Sequence, residues 1–335
     1  MLGRVLSFSD PVIIKLLQEN FIPLVGDDWY QRRRKDDVGK FFRKVVDQTW
    51  KGGDWESQGG GGNNRQGIYC FTPSGKVLTE MKNVGGMPRE VEGILRRALR
   101  NWNEMPEAER RAEAAAAIPD PSLDPDYHRP VPPGALVLRQ YSRGLKRDAA
   151  GTLAVDDFTF QNTPVWAQRD RAWVLEAEWK AMIPATAKAG DVVEIPKPLA
   201  SRLMRYHFVE ALRGEAGAWD PKHIRAAPLK LTVASATDVE LRLILEGSVK
   251  LATNDEKVGL EGTLAGDLRI DRTRQAFTRF DLVLVAECWG ALNPHNGVSR
   301  EGRNPVGFSF ELGAGAEVDR VPPQWARLLA GYLNP

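Results

Sequence analysis

Cysteine is nearly absent: Cys70 and Cys288 are the only two in 335 residues. They are far apart, and neither lies beside a second Cys or a His. That excludes a disulfide framework and a zinc knuckle, and leaves open a single bridge between the two. Long apolar runs are missing as well. No stretch approaches the roughly 18 residues of a membrane span, and the first ten residues are too short and polar for a secretory signal. The expectation is a soluble protein with no membrane span, cytoplasmic as given and exported if a leader has been removed. Nor is there an excess of either charge. The 46 basic and 44 acidic residues leave a formal net charge of +2, so a nucleic-acid partner is not expected. No G-x-G-x-x-G after a strand, no G-K-[ST], no H-E-x-x-H and no G-x-S-x-G occurs, which removes the common phosphate-cradle, zinc-protease and serine-elbow signatures.

What is present is enough apolar material for a sizeable core, 42% hydrophobic against 27% charged, in a chain long enough for two domains. Ser9 or Asp10 can cap a helix that Pro11 opens, with Val12, Ile13, Leu16 and Leu17 at helical spacing. The apolar run 21–25 reads as a strand in which Pro23 must face an open side or a bulge. Val38, Phe41, Phe42, Val45 and Val46 mark a second helix over 29–47, and 51–67 is a glycine-rich loop. Strands over 68–71 and 76–81 flank Thr72-Pro73-Ser74-Gly75, where Pro and Gly suit a turn. A helix over 89–102 closes the unit.

The order helix, strand, helix, hairpin, helix, with 3–8 as a leading strand, resembles the thioredoxin fold over residues 3–103. The phrase Gly-Ile-Tyr-Cys-Phe-Thr-Pro-Ser-Gly-Lys-Val-Leu, 67–78, is similar to that family's last two strands. The resemblance implies a nucleophilic thiol at the N-terminus of the first helix, where N–H groups and the helix dipole stabilise a thiolate. Here that place reads Ser7-Phe8-Ser9-Asp10. It also implies a cis-proline just before the hairpin, where this chain has Gln66-Gly67. A thioredoxin-like module without disulfide oxidoreductase activity is therefore expected. Strand alternation puts Cys70 on the opposite face from Tyr69 and Phe71. It is either a small buried hydrophobe or a single reactive thiol.

Residues 104–134 read as a helical and then proline-rich linker. Residues 135–335 change texture: strands are expected over 135–140, 229–234, 240–251, 258–270, 280–288 and 306–312, joined by short turns in a meander or a partly closed barrel. The fold class predicted is an α/β thioredoxin-like N-terminal domain followed by an α+β, mainly antiparallel β C-terminal domain. One helix, 198–212, interrupts the strands, with Gly214 as its C-cap.

Candidate sites gather in this second half. On a continuous helix His207 and Glu210 are surface neighbours, Arg213 and Glu215 lie just beyond, and His223 is close enough in sequence to add a third metal ligand or catalytic group. A plain surface ion-pair cluster is the competing reading. The loop after 288 brings Trp289, His295 and Arg303, which either bind a ligand or simply return the chain. No motif implies a cofactor. The function expected is non-catalytic binding or scaffolding, with a protein or peptide partner and a small-molecule ligand as a further option. The alternative is a metal-binding protein or enzyme, with a divalent metal at His207, Glu210 and His223.

Overall fold

The computed structural model describes residues 7–8, 10–26, 28–32, 34–50, 65–82, 88–110, 129–156, 159–160, 163–164, 168–214, 217–293 and 300–335. The chain divides into two compact units, Met1–Leu123 with Gln161–Pro164, and Asp124–Phe160 with Val165–Pro335.

In the first unit Asp10 accepts hydrogen bonds from the N–H groups of Val12 (2.8 Å) and Ile13 (3.3 Å) and starts α1, Pro11–Asn20. The single helix expected over 29–47 is instead two, α2 (Asp28–Gln31) and α3 (Asp37–Val46). Asp36 ends the connection by capping α3 through the Gly39 N–H at 3.0 Å. The hairpin forms as expected from β1 (Gly67–Phe71) and β2 (Val77–Lys82), and Gly75 takes the positive φ of 87° that its turn needs. Helix α4, Pro88–Glu104, buries Val91, Ile94, Leu95 and Ala98 with Ile13 and Cys70.

The strand expected over 21–25 does not form. Phe21 closes α1 through its N–H on Leu17, and residues 22–26 carry no regular structure and join no ladder. Apolar composition favours a strand, but a strand needs a neighbour. Residues 3–6 lie outside the described residues, and Ser7 and Phe8 are helical. Among the described residues this unit therefore holds the hairpin and flanking helices without a central strand. The glycine-rich loop 51–64 and most of the linker, 111–128, also lie outside the described residues.

The second unit is built on a ten-stranded sheet whose paired strands are all antiparallel. Its long strands are β3 (Leu136–Arg147), β8 (Leu229–Ala236), β9 (Glu240–Ala252), β10 (Gly259–Asp271), β11 (Ala276–Trp289) and β12 (Asn304–Leu312), and the shorter ones are β4 (Leu153–Val155), β5 (Gln168–Val174), β6 (Val192–Val193) and β7 (Ile224–Ala226). Strands β8 to β12 run as a meander, and β3 adds beside β12. Both β5 and β4 pair with the other edge of β3. The ladders make an open path from there to β6.

Period-two alternation sets the two faces. Leu241, Leu243 and Leu245 on β9, Leu282 and Leu284 on β11, and Phe308 and Phe310 on β12 all point into one core. The opposite face carries cross-strand charges, such as Arg242 on Asp267 at 2.9 Å and Arg279 on the same Asp267 at 3.5 Å. The core face is covered by helix α7 (Lys197–Arg202) and the chain that follows it, with Phe208 packed edge-on against Phe308 and Phe310.

That cover corrects the helix expected over 198–212. α7 ends at Arg202 and passes into one π-helical turn, Leu203–His207, closed by the Phe208 N–H on the Leu203 carbonyl at 2.9 Å. Phe208 then leaves helical geometry, at φ −89° and ψ 59°. The wider turn shifts the residues after it, so Phe208 and Val209 reach the sheet core as irregular chain. Glu210 and Arg213 are not on a helix with His207.

Truncating Phe308→Ala should lower the unfolding free energy of this unit by about 3–5 kcal/mol. Val283→Ala, on the polar face and 48% exposed, should change it by less than about 1 kcal/mol. Denaturant titration of the two variants checks the assignment of the faces.

Candidate functional site

His207 is the last residue of the π-turn and is buried. Its Nδ1 lies 2.6 Å from Gln140 Oε1, and its Nε2 2.8 Å from the Tyr332 hydroxyl. Gln140 Nε2 donates to the His207 carbonyl at 2.7 Å, which fixes the amide with its oxygen toward the ring. Nδ1 therefore carries the proton, and Nε2 accepts from Tyr332. The Tyr332 hydroxyl in turn accepts from the Trp173 N–H at 3.3 Å. Every polar atom of this chain of groups is met with the imidazole neutral.

A proton added to His207 would leave the Tyr332 hydroxyl without an acceptor and place a charge in the interior. Burial, aided by the Arg202 charge, pushes the His207 pKa down from 6.5 to about 3. Asp170 stands beside it, with its Oδ2 3.9 Å from Nδ1. Asp170 accepts the N–H groups of Arg171 (2.8 Å) and Gln324 (2.9 Å), yet burial raises its pKa from 3.8 to about 6. The same burial raises the Tyr332 phenol above its usual range. An acid, an imidazole and a phenol thus stand side by side, the imidazole and the phenol buried. The His207 side chain is fully enclosed, while that of Asp170 keeps 21% of its surface open to solvent.

The neighbouring charge is equally enclosed. Arg202 Nη1 contacts both Glu178 oxygens, at 2.9 and 2.7 Å. Its Nε donates to the Tyr332 carbonyl at 2.8 Å and its Nη2 to the Leu333 carbonyl at 3.0 Å. Glu178 also accepts the Leu175 N–H, which starts helix α6, Glu176–Ala181.

Glu210 and Arg213 form a second group at the other end of this covering segment. The Glu210 carboxylate accepts the N–H groups of Leu212 (3.0 Å) and Arg213 (3.1 Å) and lies 3.5 Å from the Arg213 guanidinium. Arg213 also donates to the Cys288 carbonyl (2.9 Å), to Asn304 Oδ1 (2.7 Å) and to the Arg300 carbonyl (3.4 Å). Arg300 in turn pairs with Asp156 at 2.6 Å. The residues around 210 and the loop after β11 therefore do meet, through one buried arginine tied to protein groups.

The remaining candidates are spread out. His223 ends a short 3-10 turn and stacks edge-on against Trp219. Arg303 lies 3.8 Å over the Trp289 ring and 3.5 Å from Glu261, on the surface. Glu215 and His295 lie outside the described residues. Among the described residues no group of three His, Cys, Asp or Glu side chains is placed to hold a metal ion. Cys70 and Cys288 are both free and buried, and burial raises both thiols above their ordinary pKa. That is the opposite of what a reactive thiolate requires.

Asp170, Gln140, Arg202, Glu178 and Tyr332 are the residues that sequence reasoning missed. They sit on four separate elements and a terminal turn, so no spacing links them. The only available signal was charge in an otherwise apolar context, as in Arg202 between Leu199 and Leu203.

The pair Asp170 and His207 makes opposite contributions to pH dependence. The depressed His207 pKa gives stability that is present above pH 6.5 and lost as pH falls toward 3. The raised Asp170 pKa gives stability that is present below 3.8 and lost as pH rises through 6. Asp170→Asn should therefore be more stable than the parent at pH 7. That advantage should shrink by about 1.4 kcal/mol per pH unit between pH 6 and 4, read by denaturant titration of both proteins at each pH.

The chain matches no protein-family model, and the searches of curated proteins and of solved structures likewise give no match.

Proposed function

We propose that this is a binding protein without redox chemistry, whose first unit is a thioredoxin-like module that holds an extended apolar polypeptide. The observation that carries this reading is the segment after α1. Ile22, Leu24 and Val25 are 85%, 74% and 100% exposed. Among the described residues the backbone of these three finds no hydrogen-bond partner. Apolar side chains on an open backbone with free donors and acceptors are what a partner strand adds to, with main-chain hydrogen bonds supplying affinity and side-chain pockets supplying selectivity. Pro23 blocks pairing at one position and limits the register.

Loss of redox chemistry is supported by Asp10. Its carboxylate caps α1 where a thiolate would stand in a thioredoxin. Cys70 packs beneath α4, its thiol raised by burial. The partner expected is a protein or peptide, and a small molecule would need a different surface.

Selection of random peptides on the intact chain tests this. Extended peptides rich in Val, Ile and Leu should be enriched, and Leu24→Lys should weaken their binding about tenfold or more without changing the thermal transition. Enrichment of no such peptides, or binding indifferent to Leu24→Lys, would contradict it.

A further inference from the structure

The second unit contains a buried cluster distinct from its main core: Trp173, Tyr206, Trp325, Ala326 and Tyr332. Trp173 belongs to β5 and Tyr206 to the π-turn. The other three come from one short segment, the 3-10 turn Gln324–Leu328 and helix α8, Leu329–Leu333. The segment's apolar hold is thus on Trp173 and Tyr206, with Val131, Val137 and Ala218 partly buried around them, and not on the sheet core around Phe308 and Leu284.

Its polar hold is equally self-contained. The body of the unit gives donors to the segment's carbonyls, Arg129 to Ala326 among them at 3.2 Å, and the Tyr332 hydroxyl accepts from the Trp173 N–H and donates to His207 Nε2. Tyr206 donates to the Gly331 carbonyl at 3.0 Å, and Arg202 to those of Tyr332 and Leu333 at 2.8 and 3.0 Å. A cation beneath the last carbonyls of a helical turn also suits the direction of their dipoles. In the reverse direction Gln324 gives its N–H to Asp170 at 2.9 Å. No backbone group of the segment belongs to a sheet ladder. Unseating it breaks side-chain contacts and one aromatic cluster, and leaves every strand pairing in place.

The surface beneath would survive that step. On opening, Arg202 keeps Glu178 and the Trp173 carbonyl, and water reaches the donors that the Tyr332 and Leu333 carbonyls release. Tyr206 has Arg205 stacked 4.9 Å from its ring centre. The Trp173 indole N–H is buried and has no partner among the described residues.

We propose that residues 324–333 are a latch, seated in cis on a groove of Trp173, Tyr206 and Arg202, that opens while the sheet stays folded and frees the groove for the same aromatic turn of a second copy. Segments held by few buried contacts and no ladder open at lower free energy than the core they rest on. An identical segment from another chain fits whatever the cis segment fits, which is the basis of exchange between copies.

Two measurements on the full chain test it. Native-state hydrogen exchange of the wild type should show hydrogen-bonded amides of the segment, such as Ala326, exchanging about tenfold or more faster than those of β9 to β11. A labelled peptide of residues 322–335 should bind saturably to a chain carrying Tyr332→Ala. It should bind the wild type about tenfold or more weakly, because the cis segment competes, and the same peptide with Tyr332→Ala should bind neither. Trp325→Ala serves as the second open variant if Tyr332→Ala does not fold. Exchange of the segment together with the sheet, absence of peptide binding to the open variant, or equal binding to wild type and variant would each overturn the proposal.

Discussion

The second unit depends on meeting the donors of one buried guanidinium. Arg202 has no exposed surface, and a charge so enclosed costs several kcal/mol unless its partners are complete. Glu178 neutralises it, and carbonyls of Trp173, Tyr332 and Leu333 take further N–H groups. Helix α6, strand β5 and helix α8 must therefore converge on the end of α7. The π-turn begins at the next residue, and with Tyr332 fixed by Arg202, the His207 ring finds a phenol at 2.8 Å.

From this follows the contrast between the two halves of the chain. In the second unit three of the polar groups singled out as candidates tie segments together in the interior: His207 between Gln140 and Tyr332, Glu210 on the N–H groups of its own turn, Arg213 on the strand end at Cys288. In the first unit the arrangement is reversed. Polar groups there cap and pair in ordinary ways, while Ile22, Leu24 and Val25 stand in solvent with an unpaired backbone. A surface that leaves apolar side chains outside is a better place to look for a partner than a core that encloses its charges.

How much of this was legible in the sequence varied with the length scale of each signal. The strands around Leu241, Leu268, Leu284 and Phe308 were readable because one face is buried and the other charged, so apolar residues alternate. The hairpin at Thr72 to Gly75 was readable because its turn needs Pro and Gly. Strand β5 was not, since its run Gln-Arg-Asp-Arg-Ala-Trp-Val turns Asp170 inward and buries Trp173 against a terminal turn far along the chain. The helix over 198–212 was read too long because Phe208 and Leu212 keep helical spacing while packing as irregular chain. The 21–25 strand was expected because propensity reports composition and is blind to whether a neighbour is present. His207, Gln140, Asp170 and Tyr332 share no spacing at all, and only the folded sheet brings them together.

The most direct measurement of the central constraint is a double-mutant cycle on Arg202 and Glu178, using Arg202→Met and Glu178→Leu with unfolding free energies from denaturant titration. If the pair organises the unit, each single change strands a buried charge and costs about 3–5 kcal/mol, while the double variant costs much less than their sum, leaving a coupling of about 2 kcal/mol or more. Costs that simply add, within about 0.5 kcal/mol, would show that α6, β5 and α8 are held in place by something other than this ion pair.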